Sequence, residues 1–209
     1  MESITDSDVE RYMYEILPAR DEVLAEMEEQ ARQRDIPIIG PAVARVLYQY
    51  ARLINARRVF EMGSAIGYST IWLARAVGEG GRVYYTDGSQ KNADEARGYI
   101  ERAGVADRVE ILVGNSMDLI DTVEGEFDLI FNDVDKHQYP EAFRKAVPRV
   151  RSGGLFITDN VLWSGRVARG ETDKYTEGVR EFNRLIYSSP ELYPTILPIR
   201  DGVAVCLKH

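Results

Sequence analysis

Beyond residue 57 short apolar runs alternate with helical stretches, and that alternation restricts the chain to very few folds. The runs are 58–62, 82–86, 109–113, 127–131 and 155–158, and the intervening segments 68–76, 92–103, 116–120 and 139–150 read as helices. Gly104 closes the second of these helices, as a glycine past a helix end does. Near-continuous apolar strands that alternate with helices imply βαβ units and a parallel sheet covered on both faces. After a last helix near 175–187 come two more runs, 195–197 and 203–207. The turn Arg200-Asp201-Gly202 between them is too short for a crossover helix, so these two strands pair antiparallel. The reading is an α/β, doubly wound, mostly parallel sheet that ends in an antiparallel hairpin.

The first third is helical instead. Residues 21–34 carry a narrow stripe of Val23, Leu24 and Met27. From Pro41, a residue suited to a first helical turn, Val43, Val46, Leu47, Tyr50, Leu53 and Ile54 recur at helical spacing. No linker or repeat divides the chain, so residues 1–209 are read as one domain, a helical segment 1–56 preceding an α/β core 57–209.

Charge and composition exclude several classes. Lys and Arg number 26 against 34 Asp and Glu, a net charge of −8, which argues against a nucleic-acid partner. No apolar run reaches the roughly 18 residues of a membrane span, and the acidic, polar residues 1–6 are not a secretory signal. Cys206 is the single cysteine, so no intramolecular disulfide forms, and with only two histidines a Cys- or His-rich metal site is excluded. Cys206 lies in an apolar strand and reads as a small buried hydrophobe. The expectation is a soluble, cytoplasmic protein without membrane contact.

Glu61-Met62-Gly63-Ser64-Ala65-Ile66-Gly67-Tyr68-Ser69 follows the first strand and opens a helix. Glycines there let a ligand approach the backbone, and the helix offers free N–H groups. The spacing Gly-x-x-x-Gly differs from the Gly-x-Gly-x-x-Gly that cradles a pyrophosphate, so a cofactor without phosphate fits better. Asp87 ends the second strand, where a carboxylate can accept from both hydroxyls of a ribose. Either feature alone is ordinary turn chemistry; the two at adjacent strand ends point to a cofactor. Glu61, a carboxylate closing an apolar strand, adds to this.

Two further polar clusters end strands: Asn132-Asp133-Val134-Asp135-Lys136 and Asp159-Asn160. If the sheet order reverses beside the first strand, both meet the glycine loop at the switch point, where ligands bind in such sheets. Oxygen ligands without His or Cys suit a hard divalent ion. Each cluster alone reads equally well as solvated loop.

Glu61-Met62-Gly63 through Ser69, Asp133-Val134-Asp135-Lys136 and Asp159-Asn160-Val161-Leu162-Trp163 together resemble the cation-dependent O-methyltransferases of small phenols, the catechol and caffeoyl-coenzyme A enzymes. The resemblance spans about residues 36–207. It implies a class I methyltransferase fold, S-adenosylmethionine, one divalent metal (Mg²⁺, Mn²⁺ or Ca²⁺) and a homodimer. By position, Asp133, Asp159 and Asn160 match the metal ligands and Lys136 the general base. Ile39, Glu61, Gly63, Ser64, Ser69, Asp87, Ser116 and Asp135 match cofactor contacts. Asp133, Trp163 and Ser164 match the substrate side, with Ser164 in place of the asparagine that plant acyl-coenzyme A enzymes carry. Trp163 reads equally as pocket wall and as core anchor.

The implied reaction methylates a catechol-like or phenolic hydroxyl, free or acyl-coenzyme A-linked. The metal holds both oxygens of a vicinal diol and Lys136, as a neutral amine, accepts the proton; His137, next to it, is read as a solvated loop residue. Two other classes remain open: a nicotinamide oxidoreductase, opposed by the glycine spacing, and a non-catalytic binding protein that retains the fold. An RNA methyltransferase is disfavoured by the acidic charge.

Overall fold

The computed structural model describes residues 4–209, so the first three of the acidic, polar residues 1–6 lie outside it. Seven strands form one sheet in the order β3-β2-β1-β4-β5-β7-β6. They are β1 (Arg58–Met62), β2 (Arg82–Asp87), β3 (Val109–Val113), β4 (Phe127–Asn132), β5 (Val150–Thr158), β6 (Leu192–Leu197) and β7 (Val203–Lys208). The first five are parallel, and β7 runs antiparallel to both β5 and β6. The order reverses between β1 and β4, as the sequence reading requires.

Side chains alternate across the sheet, so each strand feeds two apolar layers. Val59, Val83, Leu129 and Leu155 face one layer with α2 (Glu22–Arg34), α3 (Gly40–Leu53), α4 (Tyr68–Val77) and α5 (Gln90–Arg102). Phe60, Met62, Ile130 and Phe156 face the other, with α6 (Ser116–Thr122), α7 (Tyr139–Ala146) and α9 (Lys174–Ser188). Two short helices complete the chain: α1 (Ser7–Glu15), capped by Asp6, and α8 (Arg166–Arg169). Among the described residues no helix is long and apolar enough to cross a membrane. Cys206 is fully buried, and burial pushes its thiol up to about 12.

The boundary that departs most from the sequence reading is the start of β5; β6 also begins at Leu192 rather than at 195. The helix expected over 139–150 ends at Ala146, a single tight turn spans Val147–Arg149, and β5 starts at Val150 rather than at 155. Pro148 has no N–H to donate and stops the helix. Gly153 (φ +71°) and Gly154 then carry a bulge, with the register shifting between Phe127 and Leu129. A side chain at Gly154 would stand 2.8 Å from the Asp128 carbonyl oxygen, so a glycine inside the strand is what lets β4 and β5 approach.

The N-terminal helices are fastened over the open end of the sheet by ion pairs to its helices: Asp21–Arg75 (2.6 Å), Arg34–Glu95 (2.5 Å) and Glu26–Arg102. All three are partly exposed, so each contributes little alone. Tyr68 donates to Glu28 (2.7 Å) from a buried ring. Their effect is positional, because they bring the loop from Ile36 to Ile39 to the mouth of the cavity at the strand ends.

Candidate active site

Every strand that supplies a candidate residue ends on the same edge of the sheet. There lies a cavity of about 890 Å³, lined by Gly63, Asp87 and Ser116 at one end and by Asp133, Lys136 and Asn160 at the other. Ile39, Ser64, Ser69, Asp135 and Trp163 also line it. Glu61, Asp159 and Ser164 do not; the first two are fully buried directly behind the wall.

The glycine loop is held by backbone and side chain together. Gly63 has φ +82°, and a Cβ there would meet the Asp133 carbonyl oxygen at 2.7 Å. Only glycine allows β1's loop to lie against β4's. Ser64 N–H donates to Thr86 O (2.9 Å) and its hydroxyl accepts from Thr86 N–H (3.2 Å). The Thr86 hydroxyl donates to Glu61 O (2.6 Å) and sits 2.7 Å from the Ser116 hydroxyl, joining three segments under the cavity floor. Asp87 accepts from the Ala65 N–H (3.0 Å), the Ser89 N–H (2.8 Å) and the Asn92 side chain (3.1 Å). It remains half-buried at the wall, so a carboxylate anchored by three donors faces the cavity. Ile39 caps α3 with its side chain buried in the core.

Glu61 is fully buried with Thr70 donating to one of its oxygens. Burial pushes its carboxyl up from 4.5 to about 7, against the hydroxyls of Ser69, Thr70 and Ser64, which favour the ionised form. The folded chain therefore holds a proton that the unfolded chain has already released, and stability falls as pH rises from about 4.5 to about 7. Glu61→Gln is expected to remove a cost on the order of 3 kcal/mol above that window. Its melting temperature should exceed wild type at pH 8 and match it near pH 4.5. A variant that kept the wild-type pH slope would move the titration elsewhere.

At the other end, Asp133 follows β4 and its N–H donates to Met62 O (2.9 Å). Lys136 Nζ donates to Asp133 Oδ1 (2.7 Å) and lies 5.5 Å and 5.9 Å from the ring centres of Tyr139 and Trp163. Gly178 of α9 lies flush against this loop, since a Cβ there would be 2.5 Å from Lys136 O. Asp159 is wholly buried. Its Oδ2 accepts from Arg200 Nη1 (3.0 Å), and Oδ1 meets no hydrogen-bond donor among the described residues. Burial, then the charge of Asp133, raise its pKa, while Arg200 opposes them. Asn160, Trp163 and Ser164 all have positive φ (57°, 46° and 51°), a concentration of backbone strain found where a site over-determines its conformation. Trp163 is half-buried and does both jobs open to it, lining the cavity and packing on the core. Ser164 gives its N–H to Asp201, and His137 is exposed, edge-on to Tyr175 at 5.5 Å.

Four participants escaped the sequence reading. Arg200 and Asp201 are read from the sequence as mere turn; Asp201 is buried and accepts the Ser164 N–H. Tyr139 donates to Asp159 O (2.7 Å), and Asn92 steadies Asp87. Of these only Asn92 carried a local signal, five residues after Asp87 at the start of a helix.

No group of three or more His, Cys, Asp or Glu side chains among the described residues gathers as a metal cluster. The available donors are two carboxylates and an amide, Asp133, Asp159 and Asn160, and the buried, bondless Asp159 Oδ1 is the atom that a cation would satisfy. Hard oxygen donors of this kind fit Mg²⁺, Mn²⁺ or Ca²⁺.

A family model described as O-methyltransferase matches residues 15–209. The chain belongs to that family. A catechol O-methyltransferase of Mycobacterium tuberculosis is 34% identical, covering 96% of this chain and 94% of the relative. One of Niastella koreensis is 32% identical, covering 95% and 96%. The O-methyltransferase from Bacillus cereus, solved in complex with SAH, superposes with a TM-score of 0.87 at 33% identity over 97% of both chains. The fold is thus the class I methyltransferase fold with its C-terminal antiparallel hairpin. The Gly63 loop and the Asp133 loop line one cavity in this fold, and the nicotinamide alternative is not favoured.

Proposed function

We propose that this O-methyltransferase moves the methyl group of S-adenosylmethionine onto one hydroxyl of a small catechol-like phenol, with a divalent cation at Asp133, Asp159 and Asn160. The observation that carries the reading is the single cavity that joins the glycine loop and Asp87 to Asp133, Asn160 and Lys136. The relatives named catechol O-methyltransferase and the neighbour solved with SAH support it. The net charge of −8 favours a small acceptor over a nucleic acid.

In this reading Asp87 accepts from the ribose hydroxyls while the Gly63–Ser64 backbone and the Ser116 end of α6 fix the rest of the cofactor. Ile39 and Asp135 border it from either side. The cation supplies Lewis acidity that makes the acceptor hydroxyl easier to ionise. Trp163 bounds the phenol ring, and Ser164 holds the Trp163 loop through its bond to Asp201. Lys136 Nζ takes the proton as the hydroxyl oxygen bonds the methyl carbon and the carbon–sulfur bond breaks. Holding both reactants in one cavity removes roughly 7–11 kcal/mol of barrier, so most of the chain's contribution is placement. A cytoplasmic homodimer belongs to the same proposal and is tested by light scattering.

The test is turnover with S-adenosylmethionine across phenols with one or two adjacent hydroxyls, with and without EDTA. Catechols should be methylated and EDTA should stop the reaction. Full activity in EDTA would remove the cation, and no turnover of any phenol would remove the acceptor class. Trp163→Leu should raise the phenol KM by about tenfold, a loss of about 1.4 kcal/mol, and leave the cofactor KM unchanged. A less stable protein with normal kinetics would make Trp163 a core anchor only.

A further inference from the structure

We propose that Arg200 is a latch on the cation site: its guanidinium occupies the Asp159 carboxylate and must let go for a divalent ion to bind. The inference rests on reading Asp133, Asp159 and Asn160 as that site. Arg200 stands in the turn between β6 and β7 with φ +54°, a conformation uncommon for a long side chain. From there Nη1 donates to Asp159 Oδ2 and Nη2 donates to the Ile38 carbonyl oxygen, each at 3.0 Å. One planar group thus ties the end of β5, the hairpin and the loop that enters α3 beside the cofactor end of the cavity.

Burial and charge decide which partner yields. The Asp159 side chain is 0% exposed, whereas Arg200 keeps 23% and lines the cavity, so the arginine can swing out and the aspartate cannot. As built, each carboxylate already has a protein group on it, Lys136 Nζ on Asp133 and the Arg200 guanidinium on Asp159. A divalent ion placed among them sets two positive centres on one buried carboxylate, where repulsion is weakly screened. Arginine does not lose its proton in proteins, so it cannot relieve that repulsion by neutralising. It leaves Asp159 Oδ2 instead, and because the same guanidinium holds Ile38 O, its departure loosens the loop at Ile38 and Ile39. Cation binding and the order of that loop are therefore coupled, and coupling of this kind is reciprocal.

The test is Mn²⁺ titration by calorimetry and electron paramagnetic resonance on wild type, Arg200→Gln, Arg200→Asn and Asp159→Ala. Asparagine tolerates positive φ, so Arg200→Asn guards against a folding defect at the turn. Both Arg200 variants are expected to bind Mn²⁺ at least about tenfold more tightly than wild type. Hydrogen exchange supplies a second reading. Saturating Mn²⁺ should raise exchange of the wild-type amides at residues 36–40 to the rate Arg200→Gln shows without metal, and should add nothing in that variant. Unchanged or weaker Mn²⁺ affinity in both Arg200 variants, with binding lost in Asp159→Ala, overturns the latch and leaves the cation site standing. No saturable Mn²⁺ binding in wild type or in either Arg200 variant overturns the site itself, and the latch with it.

Discussion

Lys136→Ala is expected to lower kcat by about 10²–10⁴-fold, the usual loss when proton transfer by a side chain is removed. The side chain is only 15% exposed, its nitrogen over the Tyr139 and Trp163 rings and 2.7 Å from Asp133. That placement leaves Nζ little freedom and points to a nitrogen kept at one position in the cavity wall. Alanine removes it while Asp133, Asp159 and Asn160 stay in place, so cofactor affinity measured by calorimetry should be unchanged. The defect should shrink as pH rises, because the acceptor hydroxyl then ionises without help. Full kcat near neutral pH would take the proton-accepting role away from Lys136.

Gly63→Ala is expected to damage both stability and activity. The φ of +82° costs an alanine on the order of 1–3 kcal/mol. The added methyl also meets backbone, the Asp133 oxygen at 2.7 Å and its carbonyl carbon at 3.0 Å. Neither partner can yield easily. Met62 and Asn132 pair in register at the ends of β1 and β4, and Asp133 N–H is bonded to Met62 O. The clash therefore pushes apart the two loops that, in the proposed reaction, hold methyl donor and acceptor, where a displacement of about 1 Å costs about 10²-fold in rate. Gly80→Ala is the control, since it shares a positive φ (+74°) but has open space around its Cβ. Urea midpoints and kcat for the two variants separate backbone strain from the collision. If Gly63→Ala loses no more stability than Gly80→Ala and keeps kcat, the close approach of the loops is unimportant.

The sequence by itself determined the elements and the chemistry at their ends. Strand and helix periodicities are local properties, and a strand's last residue is where its side chain leaves the sheet. Glu61, Asp87, Asp133 and Asp159 could therefore be assigned to one edge of the sheet before any packing was known. The antiparallel hairpin was equally local, forced by a connection too short to cross the sheet. Where β5 begins was not: an apolar run broken by Pro148, Gly153 and Gly154 reads as helix end and loop. Only the approach of the Asp128 backbone, which Gly154 permits, makes it strand. The reversal of strand order between β1 and β4, stated from sequence as a condition, became a fact in the tertiary structure, because strand neighbours are set by how two apolar faces are covered at once. Arg200 and Asp201 show the same divide. In the chain they are two polar residues before a glycine, indistinguishable from any turn. In space the folded sheet brings Arg200 to Asp159 across 41 residues and to Ile38 across 162, and Asp201 to Ser164 across 37. No periodicity encodes contacts that far apart, because they exist only after the hairpin has closed on β5 and the N-terminal loop has docked on the strand ends.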